Sequence, residues 1–137
     1  AVMFGFGEGL PMMENRIELA ERKGPGGTRT ARVIHAFAPQ SLKVWEQAIA
    51  LGMKVIQASG ASDPWSNPMA SAHMMGGTIM GADPAASVTD SFGRSHDISN
   101  LFIAGPGLFP TAGAMNPNFT NHALTLRSAE HILANWE

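Results

Sequence analysis

The sequence contains no cysteine and little charge, and these absences exclude several classes of protein. Without cysteine among its 137 residues, the chain can form no disulfide framework, thiolate zinc site or cysteine nucleophile. Charged residues make up only 15% of the chain, and nine basic against eleven acidic residues give a net charge of −2, so no basic footprint for nucleic acid is present. No apolar run approaches the ~18 residues of a membrane-spanning helix. The composition does not assign a compartment.

Glycine, proline and hydrophobic side chains are abundant instead. The chain is 45% hydrophobic, which is enough for a buried core, and its 15 Gly and 9 Pro favour shaped loops. Near the N-terminus, residues 15–20 and 32–37 alternate polar and apolar side chains, as half-buried strands do. The second of these strands would place Val33, His35 and Phe37 on one face. With the turn-rich loop over residues 21–28, the pattern predicts a β-hairpin.

Two amphipathic helices are predicted further along the chain. Ser41 is expected to cap a helix that runs to residue 58, with Gly60 near its C-terminal end. The second helix is predicted over residues 117–136. Apolar side chains recur at helical spacing in both, so each stripe is expected to face a core. The stripes are Leu42, Trp45, Ile49, Met53 and Ile56 in the first helix, and Ala123, Leu126, Ala129 (or Glu130), Leu133 and Trp136 in the second.

A nearly uncharged, glycine-rich segment lies between the two helices. From residue 59 to residue 86 the only ionisable side chains are those of Asp63, His73 and Asp83. Residues 87–90 are predicted as a short strand, and the largely apolar residues 100–105 as a strand buried on both faces. Ligands of α/β proteins bind beyond the carboxyl ends of strands, so the loop that begins at Gly105 is the predicted ligand-binding loop.

Few residues in the sequence have the spacing of a metal-binding, nucleotide-binding or catalytic motif. None of the five histidines belongs to a helical metal-ligand pair, so no metal site is predicted. Residues 5–9 read Gly-Phe-Gly-Glu-Gly, but they lack the third glycine at the required offset and the following helix of a dinucleotide-binding motif. No Gly-x-Ser-x-Gly elbow or Walker A lysine is present. His73 differs, because nearly uncharged surroundings favour a neutral imidazole that could act as a base; a structural role is the alternative.

The segment that begins at His73 resembles a known family. Residues 73–80, His-Met-Met-Gly-Gly-Thr-Ile-Met, are similar to the His-x-x-Gly-(Thr/Gly)-x-x-Met signature of the glucose–methanol–choline (GMC) flavoprotein oxidoreductases. The resemblance covers roughly residues 66–137, the C-terminal segment of that family, and less specifically the β elements of residues 8–37. Within the family, the Gly-Gly-Thr-Ile-Met-Gly run is most similar to gluconate-type, membrane-associated dehydrogenases. The further motifs follow in the family's order: Asp83-Pro84, residues 87–90, residues 100–105, Phe109-Pro110-Thr111, Asn116-Pro117-Asn118 and a closing helix.

The resemblance implies FAD-dependent oxidation of a CH–OH group in an alcohol, sugar or sugar acid. His73 matches the family's active-site histidine, which takes the hydroxyl proton while hydride leaves the carbinol carbon for flavin N5. Asn116 matches the second active-site position and would hold the developing alkoxide. Gly105 and Pro106 would lie along the ribityl and pyrophosphate region of FAD, and Asn116 and Pro117 against the isoalloxazine. With Pro117 at its first position, the last helix would direct its amides at the flavin.

One element of the family is missing from the sequence. The family binds the ADP half of FAD through an N-terminal Rossmann unit with Gly-x-Gly-x-x-Gly, which this chain does not contain. We therefore expect the C-terminal piece of a two-domain flavoprotein, inactive alone, with an α/β fold (an α+β mixture). Residues 1–62 would belong to the substrate-binding domain and residues 63–137 to the FAD-binding domain. Expected partners are the alcohol or sugar substrate, the N-terminal Rossmann part and an electron-acceptor subunit. The alternative is a cofactor-free α/β binding or assembly module.

Overall fold

The computed structural model describes residues 2–67 and 73–136 and contains two strands and two long helices. The order is β1 (Arg16–Lys23), β2 (Arg29–Ile34), α1 (Pro39–Ala58), a single 3-10 turn (Pro106–Leu108) and α2 (Asn118–Ala134). The expected α+β mixture is therefore confirmed. Neither helix in the described part of the chain is long and apolar enough to cross a membrane.

The predicted hairpin is present, with different strand limits. β1 and β2 pair antiparallel from Arg16 opposite Ile34 to Lys23 opposite Arg29, with an irregularity after Leu19. The connecting turn is shorter than expected, because β1 extends to Lys23, inside the predicted loop, and β2 begins directly after that loop at Arg29. The second strand ends at Ile34, so the prediction that it continues to residue 37 is wrong. The chain leaves the sheet there because the backbone of Ala36 bonds instead to the Asn15 side chain, at 2.8 and 3.0 Å.

Helix α1 matches the predicted extent, but its start is built differently. Ala38 is the N-cap residue and Pro39 follows in the first turn, where its missing N–H leaves no amide unsatisfied. Ser41, the predicted cap, is buried inside the helix, and its Oγ accepts a hydrogen bond from the Leu10 amide at 3.0 Å. Gly60 terminates this region with a φ of +96°, as a glycine after a helix commonly does.

Residues 76–109, called the loop core below, fold without a regular strand. The predicted strands at residues 87–90 and 100–105 are wrong: this segment contains only isolated bridges, at Met80–Thr89, Thr89–Ser95 and Arg94–Phe102. Turns interrupt the pairing, since Asp90 Oδ1 accepts from the amides of Phe92 and Arg94 and closes a tight bend. The bend brings Thr89 and Leu108 into the interior, where they are 0% and 1% exposed.

Helix α2 begins one residue later than predicted. The side of the helix that packs against the loop core is not the predicted apolar stripe. Pro117 is its N-cap rather than its first helical residue. The face toward the loop core contains Ser128, which is 6% exposed and donates a hydrogen bond to the Leu124 carbonyl. The predicted core-facing stripe is wrong within this chain, since Leu126 is 64% exposed and Leu133 79% exposed.

Candidate active site

The segment that follows His73 is held against the predicted cofactor loop by a short backbone ladder. The amides of Gly76, Thr78 and Met80 donate to the carbonyls of Pro106, Gly107 and Leu108 at 3.1, 3.1 and 2.9 Å. The two sequence-predicted segments, about 30 positions apart in the chain, are therefore adjacent in space. A ladder of this kind satisfies backbone groups that would otherwise be costly in a loop packed against protein.

Two glycines allow this close approach. A Cβ on Gly107 would lie 2.6 Å from Thr78 Oγ1, so a side chain there would force the two segments apart. Gly105 has a φ of +123°, a conformation that side-chain-bearing residues rarely adopt, and nothing lies within 4 Å of where its Cβ would be. The backbone at Gly105 is thus open to a group outside the described residues, which suits the predicted contact with a cofactor.

Further hydrogen bonds within the loop core hold the ladder in place. The Thr89 hydroxyl donates to the Thr78 carbonyl at 3.3 Å, and the amides of Val88 and Thr89 both donate to the Ile79 carbonyl. The next turn contains Gly93, which has a φ of +76°. The Gly93 carbonyl accepts a hydrogen bond from the Ile103 amide at 2.8 Å. These bonds connect the segment after His73 to the buried centre of the chain, so its position does not depend on its own exposed side chains.

His73 lies half-buried at the start of this segment. Its imidazole is stacked on the ring of Phe6, with centroids 6.1 Å apart and planes inclined by 16°. The Phe6 ring thus places an apolar group on one side of the imidazole. This arrangement is compatible with proton transfer to or from a bound hydroxyl group.

Asn116 is exposed and directly precedes the N-terminus of α2. The half-buried Pro117 caps the helix backbone without a side-chain hydrogen bond, and the first turn contains no acidic residue. The first amides of the helix therefore present donors and the positive end of the dipole without a carboxylate to occupy them. One turn later, Asn121 Oδ1 is buried and has no hydrogen-bond partner among the described residues.

Aromatic and cationic side chains attach α2 to the loop core. Phe92 contacts two groups from the helix: the His131 ring stacks on it with centroids 3.9 Å apart, and the Arg127 guanidinium lies 4.5 Å from its centroid. Arg127 also donates to Ser91 Oγ at 3.3 Å. Because stacking and cation–π contacts are directional, they set the rotation of α2 and hence the direction of its N-terminus.

A cavity of about 660 Å³ opens beside the same segments. Its wall combines the residues after His73 (Met75, Gly76 and Gly77) with the stretch Phe109–Ala112 and with residues 9–13. His35 contributes the one imidazole of this lining. Among the described residues, no group of three or more side chains that could ligate a metal ion is found. The volume is within the range of small-molecule sites.

The structure thus brings the segment that follows His73 directly against the turn that begins at Gly105 and Pro106. The Asn116 loop is connected to His73 indirectly, through a segment near the N-terminus. Glu8 Oε1 accepts a hydrogen bond from the Gly113 amide at 3.0 Å, and Phe6, two residues earlier, contacts His73. The sequence analysis missed Phe6 and Glu8. The signal was present in the alternation of glycine with larger residues over residues 5–9, which was considered only as a nucleotide motif.

The comparison with protein families assigns the chain. Residues 13–125 match the model described as GMC oxidoreductase, which is most of the chain. The chain belongs to the GMC oxidoreductase family, whose members are in general flavin-dependent enzymes. The predicted family membership is therefore confirmed.

Several curated relatives share this segment. The 2-methyl-1,2-propanediol dehydrogenase of Mycolicibacterium austroafricanum is 33% identical over 140 aligned residues, which cover 96% of this chain and 25% of the relative. The fructose dehydrogenase large subunit of Gluconobacter japonicus is 41% identical over 85 residues, 59% of this chain and 15% of that subunit. The gluconate 2-dehydrogenase flavoprotein of Pantoea cypripedii is 42% identical over 60 residues, 44% of this chain and 10% of the relative. The chain spans about a quarter or less of the relatives' length.

Proposed function

We propose that the protein containing this chain oxidises a CH–OH group of an alcohol, sugar or sugar acid with FAD as cofactor. The observation that supports this most is the backbone ladder that joins the segment following His73 to the candidate cofactor loop, Gly105–Leu108. The names of the relatives, which act on fructose, gluconate and a propanediol, support the substrate class. Residues 1–62 would contribute to a substrate-binding domain and residues 63–137 to an FAD-binding domain.

The residues present fit part of a flavin site. Gly105 and Pro106 would hold the ribityl and pyrophosphate region, since the backbone at Gly105 is open where a Cβ would otherwise stand. Asn116 and Pro117 would lie against the isoalloxazine, where the first-turn amides of α2 favour negative charge. When bound, FAD would supply the hydride acceptor at N5. The ADP half would need the Rossmann part, and for that reason this chain alone is expected to be inactive.

The two candidate catalytic side chains would have different roles at the substrate oxygen. His73, whose ring lies beside that of Phe6, would take the proton from the hydroxyl group. Asn116 would donate its amide N–H to the same oxygen as negative charge develops there. Because the amide carries no charge, the substrate's negative charge would be stabilised without a second base competing for the proton.

The proposal includes two protein partners. One is the N-terminal Rossmann part of the same enzyme, which would supply the missing cofactor contacts. The other is an electron-acceptor subunit, which the name of one relative, a large subunit, supports because it implies at least one further subunit in that protein. The electrons would leave through this partner after each substrate is oxidised.

Replacement of Asn116 tests the proposed site. In the full-length protein, Asn116→Ala should lower turnover of the best alcohol or sugar substrate about 100- to 1,000-fold, the cost of removing one donor to a developing oxyanion. The flavin absorbance should remain, because the main-chain contacts are unchanged. Asn135→Ala, at the opposite end of α2, is the matched control and should retain turnover. Wild-type turnover of the Asn116 variant would contradict the proposed role.

A further inference from the structure

The glycine-alternating segment near the N-terminus runs along helix α1 as an extended strap, here defined as residues 3–10. Met3 Sδ lies 3.6 Å from where a Cβ of Gly52 would be, and the Leu10 amide donates to Ser41 Oγ at 3.0 Å. Between these ends, a Cβ on Gly5 would lie 3.7 Å from Ala48 Cβ, and one on Gly7 would lie 3.5 Å from Val44 Cγ1. The strap thus follows one face of α1, in the opposite direction to the helix.

Successive side chains of an extended segment point to opposite sides. Because Gly5 and Gly7 face α1, Phe6 and Glu8 face away from it, and both reach the candidate active site. The Phe6 ring stacks on the His73 imidazole. The half-buried Glu8 carboxylate accepts from the Gly113 amide at 3.0 Å, three residues before Asn116. One short segment therefore contacts both loops that carry the candidate catalytic residues.

We propose that Glu8 is a positioning residue for the Asn116 loop, and that the strap, supported by α1, links this loop to His73. The inference rests on the proposed function, since it assigns to Glu8 a role in placing Asn116. It also accounts for residues 5–9, whose Gly-x-Gly-x-Gly pattern has no nucleotide-binding role in this fold. The glycines keep the strap close to α1, and the larger residues between them face the site.

The geometry explains why this hydrogen bond would matter to the reaction. Gly113 has a φ of +67°, and nothing lies within 4 Å of its absent Cβ, so packing does little to hold the loop at this point. The Glu8 carboxylate is a strong acceptor for the Gly113 amide, and a bond to a charged group is worth more than a neutral one. Loss of that bond would leave Asn116 in a broader range of positions, and small displacements of a transition-state donor reduce the rate.

The test uses the full-length holoenzyme and three variants. Glu8→Ala should lower kcat about tenfold with little change in KM, because the affected donor acts mainly in the transition state. Glu8→Gln keeps an acceptor oxygen at the same place and should recover at least half of the lost kcat. Glu130→Ala, an exposed carboxylate on α2, is the matched control and should behave as wild type. Flavin content and melting temperature should be unchanged in all three.

Amide hydrogen exchange gives a readout that does not depend on activity. Exchange in the peptide that spans residues 111–117 should become faster in Glu8→Ala and return toward wild type in Glu8→Gln. Unchanged exchange in Glu8→Ala would overturn the proposal. A kcat of Glu8→Gln as low as that of Glu8→Ala would also overturn it. A double variant with Asn116→Ala should lose little beyond the Asn116 variant alone. If Asn116→Ala alone keeps full turnover, the proposed role of Asn116 fails, while the exchange result still decides whether Glu8 positions the loop.

Discussion

The loop core and the outer face of α2 differ sharply in where their apolar side chains lie. In the loop core, which contains no regular strand, Leu108 is 1% exposed and Thr89 is fully buried. On α2, which is regular over 17 residues, Phe119 is 91% exposed, Leu133 79% and Leu126 64%. Irregular backbone is thus held in place by contacts within this chain, whereas a regular helix presents an apolar face that the described residues leave exposed.

The difference indicates which parts of the proposed site this chain can form by its own contacts. The ladder that joins the His73 segment to the Gly105–Leu108 turn is built entirely from residues of this chain. An uncovered apolar helix face is typical of an element that packs against further protein. We therefore expect the loops to keep their arrangement in the isolated chain, and α2 to be stabilised mainly in the full-length protein.

Truncation of a buried leucine in the loop core should have the larger effect on stability. Leu108→Ala in the isolated chain is expected to lower the free energy of unfolding by about 3 kcal/mol, because it removes apolar contacts and leaves a cavity. Leu133→Ala on the exposed face of α2 is the matched control and should cost at most about 0.5 kcal/mol. Chemical denaturation followed by circular dichroism measures both.

The same pair of variants in the full-length protein sharpens the comparison. There, Leu133→Ala should become clearly destabilising, since further protein would cover this face of α2. Equal effects of the two substitutions in the isolated chain would contradict the contrast between the two regions. A neutral Leu133→Ala in the full-length protein would show that the face stays uncovered.

A glycine substitution should give a smaller loss for a different physical reason. Gly93→Ala places a Cβ in conflict with the Ile103 carbonyl and at a φ of +76°, so about 2 kcal/mol of destabilisation is expected from contact and strain together. Gly26→Ala in the hairpin turn has a similar φ, +84°, with open space around it, and should cost only about 1 kcal/mol. Thermal melts of the two variants separate strain from steric contact, and identical losses would argue against the tight packing of the loop core.

Local patterns predicted the hairpin and both helices well, because they depend on neighbouring residues. Alternation identified β1 and β2, and the 3.6-residue stripe identified α1 to its last residue. The strand predicted at residues 100–105 failed because an apolar run does not specify a partner: bonds from Ser95 to Leu101 and from Ile103 to Gly93 form turns and isolated bridges instead. The α2 stripe failed similarly, since periodicity finds an apolar face but does not say which face this chain covers.

For the candidate site, the sequence predicted individual residues, whose roles stay predictions, but not the contacts between their segments. The motif order pointed to His73, Gly105, Pro106, Asn116 and Pro117, and the ladder between the first two segments agrees with that grouping. Glu8 was missed because its partner, Gly113, is 105 positions away in the chain. The contact is to a backbone amide, which nearly every residue type has, so the identity of the partner residue does not indicate it. Contacts of this kind depend on the path of the chain and become visible only in three dimensions.

Reduction of the bound flavin by substrate tests the central claim most directly. The full-length protein and its His73→Ala variant would be mixed anaerobically with substrate and followed at the flavin absorbance band. The account predicts that His73→Ala binds flavin normally but reduces it about 100- to 10,000-fold more slowly, the usual contribution of a positioned base. His96→Ala, whose ring bonds to Ser87 at 3.0 Å in the loop core, should reduce it at the wild-type rate. Rapid reduction by His73→Ala would contradict the assignment of the base.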